Sequence, residues 1–297
     1  GVAGVGKSRL LADWQATLGA AGAPVCTAAA AARPGDAVLP YASLSRLLLS
    51  ALDRFHPALD SAHALHAARL LPRLATLAGT AGAGVEPVRT DYERTQALLA
   101  LAQLLGDCVR SGCRAFVLDD LQFADPASLA ALRVLAEPQP GRGALRFALG
   151  VRADEAGPEA ATLMQGLADS GALTRVDLQP LTAADAAELL HSLAVRALDT
   201  GRWAAQIWQQ VGGNPAFLLE SVKLLLSAPA DASAAGGALP LPATIEAVIQ
   251  RRIELLSPRA RHLAQLAALA GSGYSVPLAA AALACAPIEL SEPLREL

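Results

Sequence analysis

The first eight residues, GVAGVGKS, put Gly1, Gly6, Lys7 and Ser8 at the spacing GxxxxGK[ST], with Gly4 inside the interval. Such a run wraps phosphate oxygens with backbone N–H groups, then feeds a helix whose N-terminus adds partial positive charge. Glycines suit the wrap because a missing side chain permits positive φ and lets backbone approach an anion. In this chemistry Lys7 reaches the β- and γ-phosphates of a nucleotide, and the Ser8 hydroxyl ligates Mg2+. Arg9 is grouped with Gly1, Gly4, Gly6, Lys7 and Ser8 as a candidate nucleotide-binding position. The bland alternative is a glycine-rich turn with a solvated lysine. The helical spacing of SRLLADWQATL, which follows directly, argues against it.

A second constellation lies in RAFVLDDLQFAD, where apolar Phe116, Val117 and Leu118 run into Asp119 and Asp120. That is the pattern of a buried parallel strand emerging at its carboxyl edge, where carboxylates face bound phosphate. Asp119 is the candidate Mg2+ partner, usually through water, and Asp120 the candidate to orient or polarise an attacking water. Alone, the pair reads as two solvated aspartates after a strand; the glycine loop upstream is what raises it. Asp125 precedes Pro126 and a helical run, so it reads as an N-cap with proline at the first helical position and is assigned no chemistry.

Other polar clusters read as structure. His63 and His66 stand three apart on a helix pattern without a nearby cysteine, so they are read as helix residues and not metal ligands. Arg251, Arg252, Arg259 and Arg261 read as a solvated face interleaved with Glu254.

These groups need a scaffold, and the hydrophobic pattern supplies one. Short apolar runs alternate with longer alanine and leucine segments, the rhythm of an α/β domain with a parallel sheet. Strands are predicted over Ala23–Ala29, Arg114–Asp119, Leu145–Arg152 and Leu173–Leu178. Helices are predicted over Ser8–Gly19, Tyr41–Phe55, Ala62–Leu77, Asp91–Arg110 and Ser128–Ala136. After Pro180 only helical patterns remain, over Ala183–Ala197, Arg202–Val211 and Ala216–Leu226, which suggests a helical lid. The stretch Ala228–Pro240 is small and flexible and reads as a linker. Helical patterns over Ala243–Leu256 and Arg259–Ala270 then suggest a truncated helical or winged-helix module. The expected layout is therefore a core at 1–180, a lid at 181–227, a linker at 228–240 and a small module at 241–297.

The composition narrows the function classes. With 297 residues there is room for a large and a small domain. A net charge of −3 gives no overall field to attract nucleic acid or anionic lipid. Cys26, Cys108, Cys113 and Cys285 are scattered with no CxxC pair, which fits a reducing compartment. Mean hydropathy is high at +0.37, largely through alanine. The most apolar tract, Leu263–Cys285, is broken by Gly271, Ser272, Gly273 and Pro277 and so lacks the roughly 20 uninterrupted apolar residues of a spanning helix. The N-terminus lacks the layout of a signal peptide. A cytoplasmic location is expected, without a membrane.

In order, the segments GVAGVGKSRLL, VLDDLQFADPASLAAL, ALGVRADE and GGNPAFLLE resemble those of the signal-transduction ATPases with numerous domains, the STAND class within the wider AAA+ group. The likeness spans most of the chain. It is strongest to the ATPase domains of large ATP-binding LuxR-type regulators and of ATPase modules fused to bacterial adenylate cyclases. The resemblance implies a parallel-sheet P-loop NTPase with a helical lid and with ATP and Mg2+ as cofactors. It implies that Arg152 senses the γ-phosphate, a role its planar guanidinium suits. It also implies that Gly213, Asn214 and Pro215 form a lid turn near the adenine and ribose, and that residues 33 to 41 (RPGDAVLPY) match a family stretch without an assigned chemical role. Phe123 stands where many relatives carry tryptophan, and Val151 where threonine is frequent. Asp120 replaces the usual glutamate, so slow hydrolysis is expected. The family's central strand precedes the P-loop and is absent from this sequence. An isolated chain is therefore expected to bind ATP poorly and to be rescued by upstream residues.

The leading expectation is an ATP-binding, slowly hydrolysing switch domain of a bacterial signalling or transcriptional regulator. ATP would lie between sheet and lid, favour one arrangement of domains, and be reset by hydrolysis. ATP and ADP are the expected ligands. Protein partners or self-association would come through flanking domains, and DNA contact only through a domain outside this chain. The alternatives are a small-molecule phosphotransferase and an interaction module that holds nucleotide without turnover.

Overall fold

The computed structural model describes residues 1–19, 26–77, 85–137, 145–193, 200–227, 250, 253–254, 256–270 and 274–296. The chain divides into two compact units, one of residues 1–3 with 7–177 and one of residues 4–6 with 178–297.

The first unit is built on a three-stranded parallel sheet in the order β1 (Thr27–Ala31), β2 (Ala115–Asp119), β3 (Phe147–Leu149). Strand β2 is central, and its Ala115, Phe116, Val117 and Leu118 are all buried, as a strand covered on both faces requires. Its register sets Thr27 against Ala115 and Ala31 against Asp119 on one side, and Phe116 against Phe147 on the other. The Phe116 and Phe147 rings are 5.6 Å apart, centroid to centroid. Strand β1 is TAAAA, a weak strand former by composition, held by its ladder to β2 and by helix α2 (Ala42–Phe55) packed on it. Alanine's small side chain allows that close approach, and α2 buries Leu44, Leu47, Leu48, Ala51 and Leu52 there.

Helix α1 (Lys7–Leu18) follows the glycine loop directly, as its spacing predicts. Helix α5 (Asp91–Arg110) matches its predicted bounds because both ends are locally encoded. Thr90 and Glu93 form a capping box at its start, and Arg110 stands in its last turn. Cys108 and Cys113 lie buried nearby, and burial pushes their thiols up to about 12 and about 11, so they stay protonated. Helix α6 (Pro126–Ala136) begins on Asp125 with proline at its first position.

Two expectations need correction, and one helix had no expectation. The helix predicted over Ala62–Leu77 is two, α3 (Ser61–Ala68) and α4 (Arg73–Leu77), because Pro72 lacks an N–H and disfavours helix in the residue before it. Leu173–Leu178 is not a strand: it makes no ladder among the described residues, Val176 is 68% exposed, and Arg175 pairs with Asp177. A short run with apolar residues is only permissive; a strand also needs a partner backbone. Helix α7 (Pro158–Asp169) is the addition, and Gly157 followed by proline at the first helical position marks its start.

In the second unit, α8 (Ala183–Ser192), α9 (Thr200–Val211) and α10 (Pro215–Ser227) enclose a small core of Ala186, Leu190, Ala204, Ile207, Val211, Leu218 and Val222. Thr182 and Asp185 form the capping box that starts α8. The predicted linker, 228–240, lies outside the described residues, as does most of the predicted helix 243–256. Further on, α11 (Pro258–Ala270), α12 (Val276–Ala282) and α13 (Ser291–Glu296) surround Leu263, Ala279, Ala280 and Leu290. Within the arginine cluster, Arg259 pairs with Glu289 at 2.9 Å, and Arg261 donates to the carbonyls of Ile253 and Glu254. No helix among the described residues is long and apolar enough to cross a membrane.

Candidate functional site

The glycine loop turns before α1 with Gly4 and Gly6 at φ of 75° and 105°. Lys7, the first residue of α1, folds back over the loop, and its Nζ donates to the Gly1 carbonyl at 2.8 Å and the Val2 carbonyl at 2.7 Å. Burial pushes the Lys7 pKa down and Arg152 pushes it further, while Asp119, Asp120 and Asp154 pull the other way. Lys7, Arg152 and those three carboxylates therefore share one electrostatic neighbourhood.

Asp119 ends β2 at the carboxyl edge of the sheet, where the side chain after the buried run turns toward α1. Its Oδ2 accepts the Ser8 hydroxyl at 2.5 Å, across 111 residues of sequence. Its Oδ1 accepts the Asp120 backbone N–H at 2.8 Å. Gly150, just past β3, makes room for this carboxylate, because a Cβ there would fall on Asp119 Oδ1. The Gly150 backbone binds on both sides, donating to the Leu118 carbonyl and accepting from the Leu121 N–H. Any side chain at 150 would move the acid or the strand end. Sequence reasoning did not single out Gly150; its one signal is a glycine directly after an apolar strand run.

Asp120 takes a left-handed backbone at φ 56°, a region aspartate visits more readily than most residues. Gln122 clamps the segment. Its Nε2 donates to Asp120 Oδ1 at 2.8 Å while its Oε1 accepts the Arg152 backbone N–H at 3.2 Å. The Arg152 guanidinium lies 5.7 Å from the centre of the Phe123 ring, with Nε 3.8 Å from Asp120 Oδ1. Gln122, to which the sequence assigned no role, and Phe123, noted there only as a departure from relatives, thus hold the acid and the arginine in register.

Behind this edge, Asp125 does more than cap one helix. It is fully buried, and its carboxylate accepts N–H groups from Ser128 at 2.8 Å, Tyr41 at 2.7 Å and Ser43 at 3.1 Å. One acid therefore serves the N-termini of both α6 and α2, and Ser128 Oγ adds a bond from the Leu44 N–H. The stretch 33–41 acquires a role here. Buried Asp36 binds both Arg46 terminal nitrogens at 2.8 Å, the Ser43 hydroxyl at 3.0 Å and the Arg33 N–H at 2.9 Å. Arg46 in turn donates to the Ala31 carbonyl at the end of β1.

Arg9 faces outward and pairs with Asp13 one turn along α1 at 2.9 Å. Within the second unit, Pro215 opens α10 and Asn214 is the residue before it, its Oδ1 accepting the Ala216 N–H at 3.1 Å. The Ala216 N–H also reaches the Gly4 carbonyl at 3.2 Å. A Cβ on Gly4 would lie 2.8 Å from both Asn214 Oδ1 and Ala216 Cβ, so the loop tip and this turn require each other's shape.

The described geometry suits a magnesium nucleotide. Ser8 Oγ and Asp119 Oδ2 form an adjacent pair of hard oxygen donors, the type Mg2+ takes, and the cations Lys7 and Arg152 lie in one electrostatic neighbourhood with them. Residues 1–148 match the family model described as AAA ATPase domain, which supports an AAA-type P-loop ATPase. The match takes in the glycine loop, Asp119 and Asp120 and ends just before Gly150 and Arg152. Neither curated proteins nor solved structures gave a match to this chain.

Proposed function

We propose that this AAA-type ATPase domain binds Mg·ATP, hydrolyses it slowly, and acts as the nucleotide switch of a bacterial signalling or transcriptional regulator of the STAND type. The observation that carries the reading is the 2.5 Å contact between Ser8 Oγ and Asp119 Oδ2, with Lys7 and Arg152 in the same electrostatic neighbourhood. Gly1, Gly4 and Gly6 cradle the phosphates, Lys7 binds the β- and γ-oxygens, and Ser8 and Asp119 hold the metal. Bound there, Mg2+ supplies neutralisation of charge on the phosphate oxygens. Asp120 orients the attacking water and Arg152 reads the γ-phosphate. Slow turnover follows from Asp120 being a short acid already engaged by Gln122. Output, whether to DNA or to a cyclase, belongs to domains outside this chain.

Two substitutions in the full chain test this. Lys7→Ala abolishes ATP binding in calorimetry. Asp120→Asn leaves binding within about threefold but lowers phosphate release by roughly 100-fold, the scale of a lost general base, and holds the protein in its ATP state. Binding that survives Lys7→Ala would sink the nucleotide assignment. Signalling output untouched by Asp120→Asn would sink the switch.

A further inference from the structure

Arg152 is held by more than the groups that position it for phosphate. Its Nη1 donates to both oxygens of Glu155, at 3.0 and 3.1 Å, and its Nη2 has no partner among the described residues. Glu155 sits three residues on, in a turn closed by its own N–H on the Arg152 carbonyl at 3.2 Å. Orientation of the guanidinium is already supplied by Phe123 beneath it, Asp120 beside Nε, and Gln122 on its backbone. The Glu155 side chain is 42% exposed, so its contact with Nη1 is in reach of water and can be exchanged.

We propose that Glu155 is a positioning residue that occupies Nη1 of Arg152 as a built-in stand-in for phosphate, so that a γ-phosphate must displace it to grip the guanidinium through both Nη1 and Nη2. This rests on the nucleotide reading above and deepens it. A guanidinium has five N–H donors in a fixed fork, but a carboxylate and a phosphate oxygen compete for the same outer pair. The acid balance around the site points the same way. Lys7 and Arg152 face Asp119, Asp120, Asp154 and Glu155, so acids outnumber cations, and an incoming polyanion meets a carboxylate it must replace. Because the pair is local to one turn, it breaks and re-forms without moving the sheet. The consequence is a lowered preference for ATP over ADP, since ADP lacks the group that would compete for Arg152.

The test is a double-mutant cycle on the Mg·ATP to Mg·ADP affinity ratio in the full chain, measured by calorimetry. Glu155→Gln is expected to raise the preference for ATP roughly two- to fivefold, the scale of an exposed ion pair. In an Arg152→Ala background the same substitution is expected to leave the ratio unchanged. A ratio unmoved by Glu155→Gln overturns the proposal, as does a shift that persists without Arg152, which would mean a simple field effect of one fewer acid. Lys7→Ala runs alongside: loss of ATP binding there with no Glu155 effect condemns this proposal alone, whereas binding retained in Lys7→Ala condemns the nucleotide reading itself.

Discussion

Asp36 and Asp125, at 4% and 0% exposure, take their hydrogen bonds from backbone N–H groups, one hydroxyl and a guanidinium fixed by the fold. Asp119 and Asp120, one strand end away, are half-exposed and are engaged mainly by side chains: the Ser8 hydroxyl, the Gln122 amide and, at longer range, the Arg152 guanidinium. All four are carboxylates in the same unit, yet they do different work. The N–H groups on Asp125 cannot leave without unfolding the starts of α2 and α6, and the Arg46 and Ser43 groups on Asp36 meet an acid that is itself buried, so the first pair holds α2, α6 and β1 together. At the half-exposed acids, water is at hand to replace a hydroxyl or guanidinium, so the partners of the second pair are exchangeable.

The sharpest way to break this contrast is to remove one acid from each region. Asp125→Ala leaves three N–H groups without a partner, two of them helix-starting and all at a buried carboxylate. It is expected to cost about 3–5 kcal/mol in urea unfolding. Asp119→Ala is expected to change stability by less than about 1 kcal/mol while eliminating Mg-dependent ATP binding. If both substitutions cost similar stability, the division between structural and exchangeable acids is wrong.

Gly150→Ala probes where the two kinds of constraint meet. A methyl group there collides with Asp119 Oδ1, so the acid must turn away from Ser8 or the end of β3 must shift. A stability loss of about 1–3 kcal/mol is expected, with at least roughly a tenfold drop in Mg-dependent hydrolysis. Full activity from Gly150→Ala would mean that the placement of Asp119 is not critical.

The smallest effect is in acid. Burial alone would raise the Asp36 pKa, but the Arg46 guanidinium, the Arg33 N–H and the Ser43 hydroxyl outweigh it and hold the carboxyl below its ordinary value. Glu93 is held at about 2, first by the Arg89 N–H and then by Arg69. Both acids are depressed by folding, so the stability they lend is complete above about pH 4.5 and is lost as pH falls toward about 2. Glu93→Gln is expected to flatten that part of the stability profile, measured by urea unfolding at successive pH values. An unchanged slope would remove Glu93 from the acid limb.

Sequence spacing alone was enough to place Lys7 and Ser8 at the head of a helix, Asp119 and Asp120 at the tip of a buried strand, Asp125 as a helix cap, and helix α5 between its own caps. Each of these is local: periodicity, a cap or a turn decides it within a few residues, and the chain encodes it directly. The meeting of Ser8 with Asp119 across 111 residues is another matter, as are the space at Gly150, the Gln122 clamp and the sharing of Asp125 between two helices. The failed strand at Leu173–Leu178 belongs with them, since its fate turned on whether a partner backbone was there. Such features depend on which segments the sheet and helices bring side by side, and a linear pattern carries no distance between residues far apart in the chain.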